Sequence, residues 1–72
     1  MEKIIGIIKV KGGTHTNINY SDLDTFIKDI YNLVKKDVPF EITVFKNNID
    51  YNLFVECIYE INMPSKYVVN VI

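Results

Sequence analysis

The sequence predicts an α+β fold: a single, mostly antiparallel sheet with one helix packed on one face. Three observations predict it. Residues 21–36 carry apolar side chains at helical spacing. Residues 40–44 and 51–61 alternate apolar and polar side chains with a period of two. A turn at Asn47-Asn48 would pair these two runs so that apolar residues meet apolar residues on one face. The chain of 72 residues is read as one domain, 1–72. That is small. A domain of roughly 60 residues buries only about 60% of the surface its unfolded chain exposes.

Residues 3–10 form an apolar run rich in β-branched side chains and suit a first strand. Gly12-Gly13 marks a turn, because glycine enters positive φ without a steric penalty. Residues 14–20 then return as a second strand, pairing Ile7 with Ile18 and Ile5 with Tyr20, or cross over to the helix as a polar loop.

In residues 21–36, Leu23, Phe26, Ile27, Ile30 and Val34 fall on one stripe, and Leu33 widens it. Ser21 is placed to cap this helix, with Asp24 three residues on as a capping-box variant. Asp22 and Asp24 favour its positive end, Lys35 and Lys36 its negative end. Val38-Pro39 stops it, because a residue before proline is pushed to extended conformation.

The hairpin follows. Val44 would face Tyr51, Ile42 would face Leu53, and Phe40 would face Val55. Asparagine tolerates the positive φ of such a turn. Residues 51–62 also fit a helix, with Tyr51, Phe54, Val55 and Ile58 as its stripe. The strand is preferred for its longer period-two pattern and its β-forming residue types. A loop at Met63-Pro64-Ser65 leads to a last strand, 67–72, pairing Ile61 with Tyr67, Tyr59 with Val69 and Cys57 with Val71. The order is ββαβββ, or βαβββ without the second strand.

Hydrophobic residues make up 49% of the chain, so it is globular and not disordered. No apolar run approaches the ~20 residues of a membrane span. Residues 4–8 are too few for a signal-peptide core. A cytoplasmic location is expected, with no membrane partner. The single cysteine, Cys57, cannot form an internal disulfide and reads as a small core residue. All eight basic residues are lysine, and the net charge is −1. Nucleic acid is not an expected partner, because base readers lean on arginine and nonspecific binders need a positive footprint.

Possible chemistry is thin. Backbone NH groups in Gly12-Gly13-Thr14-His15-Thr16 could cradle an anion, and His15 titrates near neutrality. No phosphate-loop lysine follows, and no helix starts there. His15 and Cys57 are too few for a metal site or a nucleophilic pair. Glu41, Glu56 and Glu60 read as solvated residues that discourage aggregation. No enzyme, cofactor or metal is expected.

What remains is an apolar excess. Phe45, Phe54, Ile58, Val68 and Ile72 fall on the sheet face away from the helix, with Glu56 among them. Monomers rarely expose patches beyond a few hundred Å². The leading expectation is therefore a non-enzymatic protein-binding module that occupies a partner's surface through this face, or pairs with itself as a homodimer. The richness in Ile, Asn, Lys and Tyr, with no Ala, Arg, Gln or Trp, is typical of AT-rich coding sequence. By association only, that suits a phage or mobile-element accessory protein, which would act in the host cytoplasm to inhibit or modulate a host enzyme or defence complex. The alternative is a binder of small anionic ligands, using Gly12, Gly13, His15 and the helix N-terminus at Ser21.

Overall fold

The computed structural model describes residues 3–11, 17–61 and 67–72. Its elements are β1 (Gly6–Val10), β2 (Asn17–Tyr20), α1 (Leu23–Lys35), β3 (Phe40–Val44), α2 (Tyr51–Ile61) and β4 (Val68–Val71). The strands form one mixed sheet in the order β2-β1-β3-β4. β1 is antiparallel to both β2 and β3, and β4 is parallel to β3. The fold is α+β with a single sheet, as the sequence predicts, and carries two helices where one was expected.

The main correction is the element 51–61, which is a helix. Both periodicities are present in these residues. The helical one buries Phe54 and half-buries Tyr51, Ile58 and Ile61 against the core. Asn47-Asn48 is a turn, but it opens a helix instead of closing a hairpin. The Asn48 side chain accepts from the Asp50 NH at 2.8 Å, and its carbonyl accepts from the Tyr51 NH at 3.1 Å. Such a side-chain-to-backbone bond starts a helical rise as readily as a hairpin. With 51–61 helical, β3 and β4 become a parallel pair joined by a crossover, as parallel strands require. The expected pairings of 51–61 with β3 and β4 are absent. Leu53, Val55 and Tyr59, expected inside, are exposed.

The β1–β2 hairpin forms, but its register differs by one residue. Gly6 faces Tyr20 and Ile8 faces Ile18. A one-residue slip exchanges the faces of a strand. The observed register puts Ile8 beside both Ile18 and Ile42, on the side where the helices lie. The turn at Gly12-Gly13 itself lies outside the described residues.

Helix α1 is capped by Asp22 and not by Ser21. The Asp22 backbone is extended, and its carboxylate accepts from the Thr25 NH at 3.0 Å and the Thr25 hydroxyl at 2.8 Å. At the other end Asp37 adopts φ 58°, the Asp37 NH bonds the Val34 carbonyl, and the Val38 NH bonds the Leu33 carbonyl. This is a Schellman closure. It ends the helix before Pro39 has any part in it.

The cap carries a pH signature. The hydrogen bonds from Thr25, side chain first and then backbone, hold the Asp22 carboxyl below the usual carboxylate range. A carboxyl with a depressed folded pKa stabilises fully above its unfolded pKa of about 4 and loses that contribution as pH falls through the folded value. Asp22→Asn keeps the acceptor oxygen but removes the titration. The variant is expected to show a flatter fall in urea midpoint from pH 5 to pH 2 than the natural chain. Identical slopes would contradict this role.

The core is aromatic at its centre. Tyr20, Phe26 and Phe54 stack in series at 5.0 Å spacings, linking β2, α1 and α2. Phe40 and Tyr67 stack at 4.4 Å. Ile5, Ile8, Ile30, Ile42 and Val44 complete the buried set. Gly6 lies directly beneath Phe26, so the ring occupies the space a side chain would fill.

Candidate functional site

Both helices pack on the face formed by Gly6, Ile8, Ile42 and Val44, with Val69 and Val71 continuing it on β4. The register places Lys9, Asn17, Asn19, Glu41, Thr43, Asn70, Ile7 and Val68 on the other face. That face is largely polar. Asn70 donates to Glu41 at 2.7 Å, and Lys11 stands 4.0 Å from the same carboxylate. The expectation of a sheet greasy on both sides is therefore corrected.

The residues assigned to that outer face do not all lie on it: Val68 and, by alternation, Ile72 do, whereas Phe54, Glu56 and Ile58 sit on α2. Phe54 is 2% exposed and belongs to the core. Ile58 is half-buried beside it, and Glu56 is exposed on α2. Phe45 is half-buried just after β3. Val68 and Ile72 are exposed, as expected. The division follows from reading 51–61 as a strand, which put Phe54, Glu56 and Ile58 in the wrong layer. Ser21 is exposed and is not the helix cap. Gly12, Gly13 and His15 of the anion-binding expectation lie outside the described residues. Cys57 is half-buried on α2 and free.

The apolar excess gathers elsewhere. Helix α2 packs Phe54 into the core against Phe26 of α1, while Val68, Val69 and Val71 of β4 stay exposed. Between α2 and β4 runs a groove of about 220 Å³, lined by Val44, Tyr51, Val55, Ile58, Tyr59 and Val69, with Phe54 and Val71 also reaching it. None of these residues is charged. Tyr59 is 83% exposed on its rim. Glu56 and Glu60 follow Val55 and Tyr59 by one residue each, about 100° further round the helix, and are exposed to solvent. The groove opens at the edge of the sheet, for no described strand lies beyond β4. On that strand Val71 is 51% exposed, and Ile72 just beyond it is 70% exposed.

A second hollow of about 200 Å³ lies between α1 and β2, among Ile18, Tyr20, Asp29, Asn32, Leu33 and Lys36. The Tyr20 hydroxyl donates to Asp29 at 2.6 Å. Burial, then that bond to the carboxylate, raises the phenol's pKa. The pair ties β2 to α1 and keeps the phenol in its donating form. Among the described residues no group of three His, Cys, Asp or Glu is placed to hold a metal ion. None of their helices is long and apolar enough to cross a membrane.

The sequence reading missed Val55, Tyr59, Val69 and Val71 as surface residues. One signal was available. Val68-Val69-Asn70-Val71-Ile72 holds no lysine, proline or glycine, the devices that blunt an exposed strand edge. No protein-family model, no curated protein and no solved structure matches the chain.

Proposed function

We propose that this chain is a non-enzymatic protein-binding module whose docking surface is the α2–β4 edge. The observation that carries the proposal is the uncharged groove between Tyr51, Val55, Ile58 and Tyr59 on one side and Val69 and Val71 on the other, open along an unblunted strand. The largest contiguous apolar patch on a small protein is often its interaction site. A free strand edge beside an apolar groove suits strand addition, where backbone hydrogen bonds supply affinity and alternate side chains fill the groove. Exposed carboxylates beyond it would form a polar rim. Occupying another protein's surface in this way would inhibit or modulate it. The accessory, host-directed role rests on composition alone.

The test is selection of short peptides from a random displayed library against the folded chain. Extended peptides with alternating apolar residues are expected to enrich. Their binding should be lost in a Tyr59→Asp, Val69→Asp double variant and kept by Lys9→Glu on the opposite sheet face. Peptides that bind the double variant as tightly as the natural chain would overturn the proposal.

A further inference from the structure

We infer that the occupant of the β4 edge is a second copy of this chain, paired β4 to β4 in antiparallel fashion so that two four-stranded sheets join as one. The inference rests on the docking surface proposed above.

The backbone comes first. The Ile72 NH donates to the Val44 carbonyl at 3.0 Å, and the Ile72 carbonyl accepts from the Lys46 NH at 2.9 Å. Both polar groups of Ile72 therefore point inward to the β3 side. Backbone groups alternate along a strand, so those of Val69 and Val71 point outward to the free edge. In an antiparallel pair, two residues directly opposite exchange both hydrogen bonds at every second position. Setting Val69 of one copy against Val71 of the other satisfies the outward groups of both residues in both copies.

The side chains select the same register. With Val69 opposite Val71, Asn70 faces its own counterpart and Val68 faces Ile72. The segment Val68-Val69-Asn70-Val71-Ile72 is close to a palindrome about Asn70. Every apolar residue meets an apolar residue, and the helix-side face of one sheet continues into that of the other. Shifting the register by two residues would set Val68 or Ile72 against Asn70. Agreement between two independent criteria, backbone direction and side-chain pattern, is what a two-fold interface requires of its own surface.

Charge and area are consistent with this. The groove-lining side of α2 presents Val55 and Tyr59, while Glu56 and Glu60 lie further round, so two copies meet without opposed carboxylates. At their observed exposures Val55, Tyr59, Val68, Val69, Val71 and Ile72 offer roughly 500 Å² per copy. Full coverage of these side chains would bury about 1,000 Å² in all, the lower limit for a specific interface. The opposite edge differs in polarity, for β2 carries Asn17 and Asn19 on either side of its exposed Ile18, and the hollow beside it is lined in part by Asp29, Asn32 and Lys36.

The test is sedimentation equilibrium of the untagged protein from low to high micromolar concentration. A reversible monomer–dimer equilibrium is expected. Val71→Pro removes an outward NH at a position where an edge strand tolerates proline. It should weaken the dimer roughly tenfold to a hundredfold, since each copy loses one interface bond, with the circular dichroism spectrum unchanged. Val71→Lys, which keeps the NH, should also weaken it, and Asn19→Lys on β2 should not. A monomer at every concentration, or a dimer that both Val71 variants leave intact, would overturn the inference. The peptide selection separates the two readings. A monomer that still captures peptides at the α2–β4 edge removes the second copy but leaves the docking surface. A monomer that captures none removes both.

Discussion

Phe26→Ala is expected to leave most of the protein unfolded near physiological temperature. Phe26 is fully buried and is the middle ring of the Tyr20–Phe26–Phe54 stack. Its ring joins the hairpin, α1 and α2 at once. Truncating a buried phenylalanine to alanine costs about 3–5 kcal/mol, the transfer term plus the cavity left behind. Stability of roughly 0.05–0.15 kcal/mol per residue implies only about 4–11 kcal/mol for a chain of this length. The loss is thus comparable to the whole. Where folding persists, the melting temperature should fall by roughly 15–30 °C, at several degrees per kcal/mol for a small domain. Thermal and urea unfolding followed by circular dichroism measure this directly. A fall of less than about 5 °C would show that the stack is not central.

Gly6→Val is expected to be comparably damaging for the opposite reason. A Cβ at position 6 would overlap the Phe26 ring at Cζ, and would stand 2.6 Å from Phe26 Cε2 and 2.6 Å from the Thr43 carbonyl oxygen. The ring cannot turn away without breaking its stack. The carbonyl cannot move without disturbing the β1–β3 pairing. Backbone conformation is not the constraint, for Gly6 has no left-handed φ. The glycine is needed for space alone. Gly6→Ala should cost about 1–3 kcal/mol, typical of overpacking, and Gly6→Val more. In a Phe26→Leu background the cost of Gly6→Ala should shrink, because the two positions share one volume. Strict additivity in that double-mutant cycle would contradict the proposed contact.

These two positions also show how far the sequence could be read. The stripe through Phe26 and Ile30 stands out because a 13-residue helix offers several repeats of its period. Phe40, Ile42 and Val44 stand out because alternation on a strand buried on one face has no competing solution. Residues 51–61 do have one. Tyr51, Phe54, Ile58 and Ile61 satisfy a helix, while Tyr51, Leu53, Val55 and Tyr59 satisfy a strand. Local preference for Val, Ile, Tyr and Phe in strands pointed to the second, and packing of Phe54 onto Phe26 settled it for the first. Non-local contact of that sort is invisible to a periodicity. The one-residue difference in the β1–β2 register has a similar origin. Gly6 has no side chain to declare its face, and only the ring of Phe26 above it does so.

The exposed apolar surface was legible in kind but misplaced. An apolar excess was evident from composition, and Val68 and Ile72 are exposed as expected. Moving 51–61 from strand to helix transferred Phe54 into the core and brought Val55 and Tyr59 to the surface beside β4. The excess itself survives that change, and it concentrates at one edge of the sheet instead of spreading over a face.

Residue-resolved amide exchange at low and high protein concentration tests that placement most directly. The outward amides of Val69 and Val71 are expected to exchange rapidly in dilute solution and to become protected as concentration rises, while the exposed amides of β2 stay unchanged. Exchange at Val69 and Val71 that is indifferent to concentration, or protection that rises equally at both sheet edges, would contradict the assignment of β4 as the contact edge.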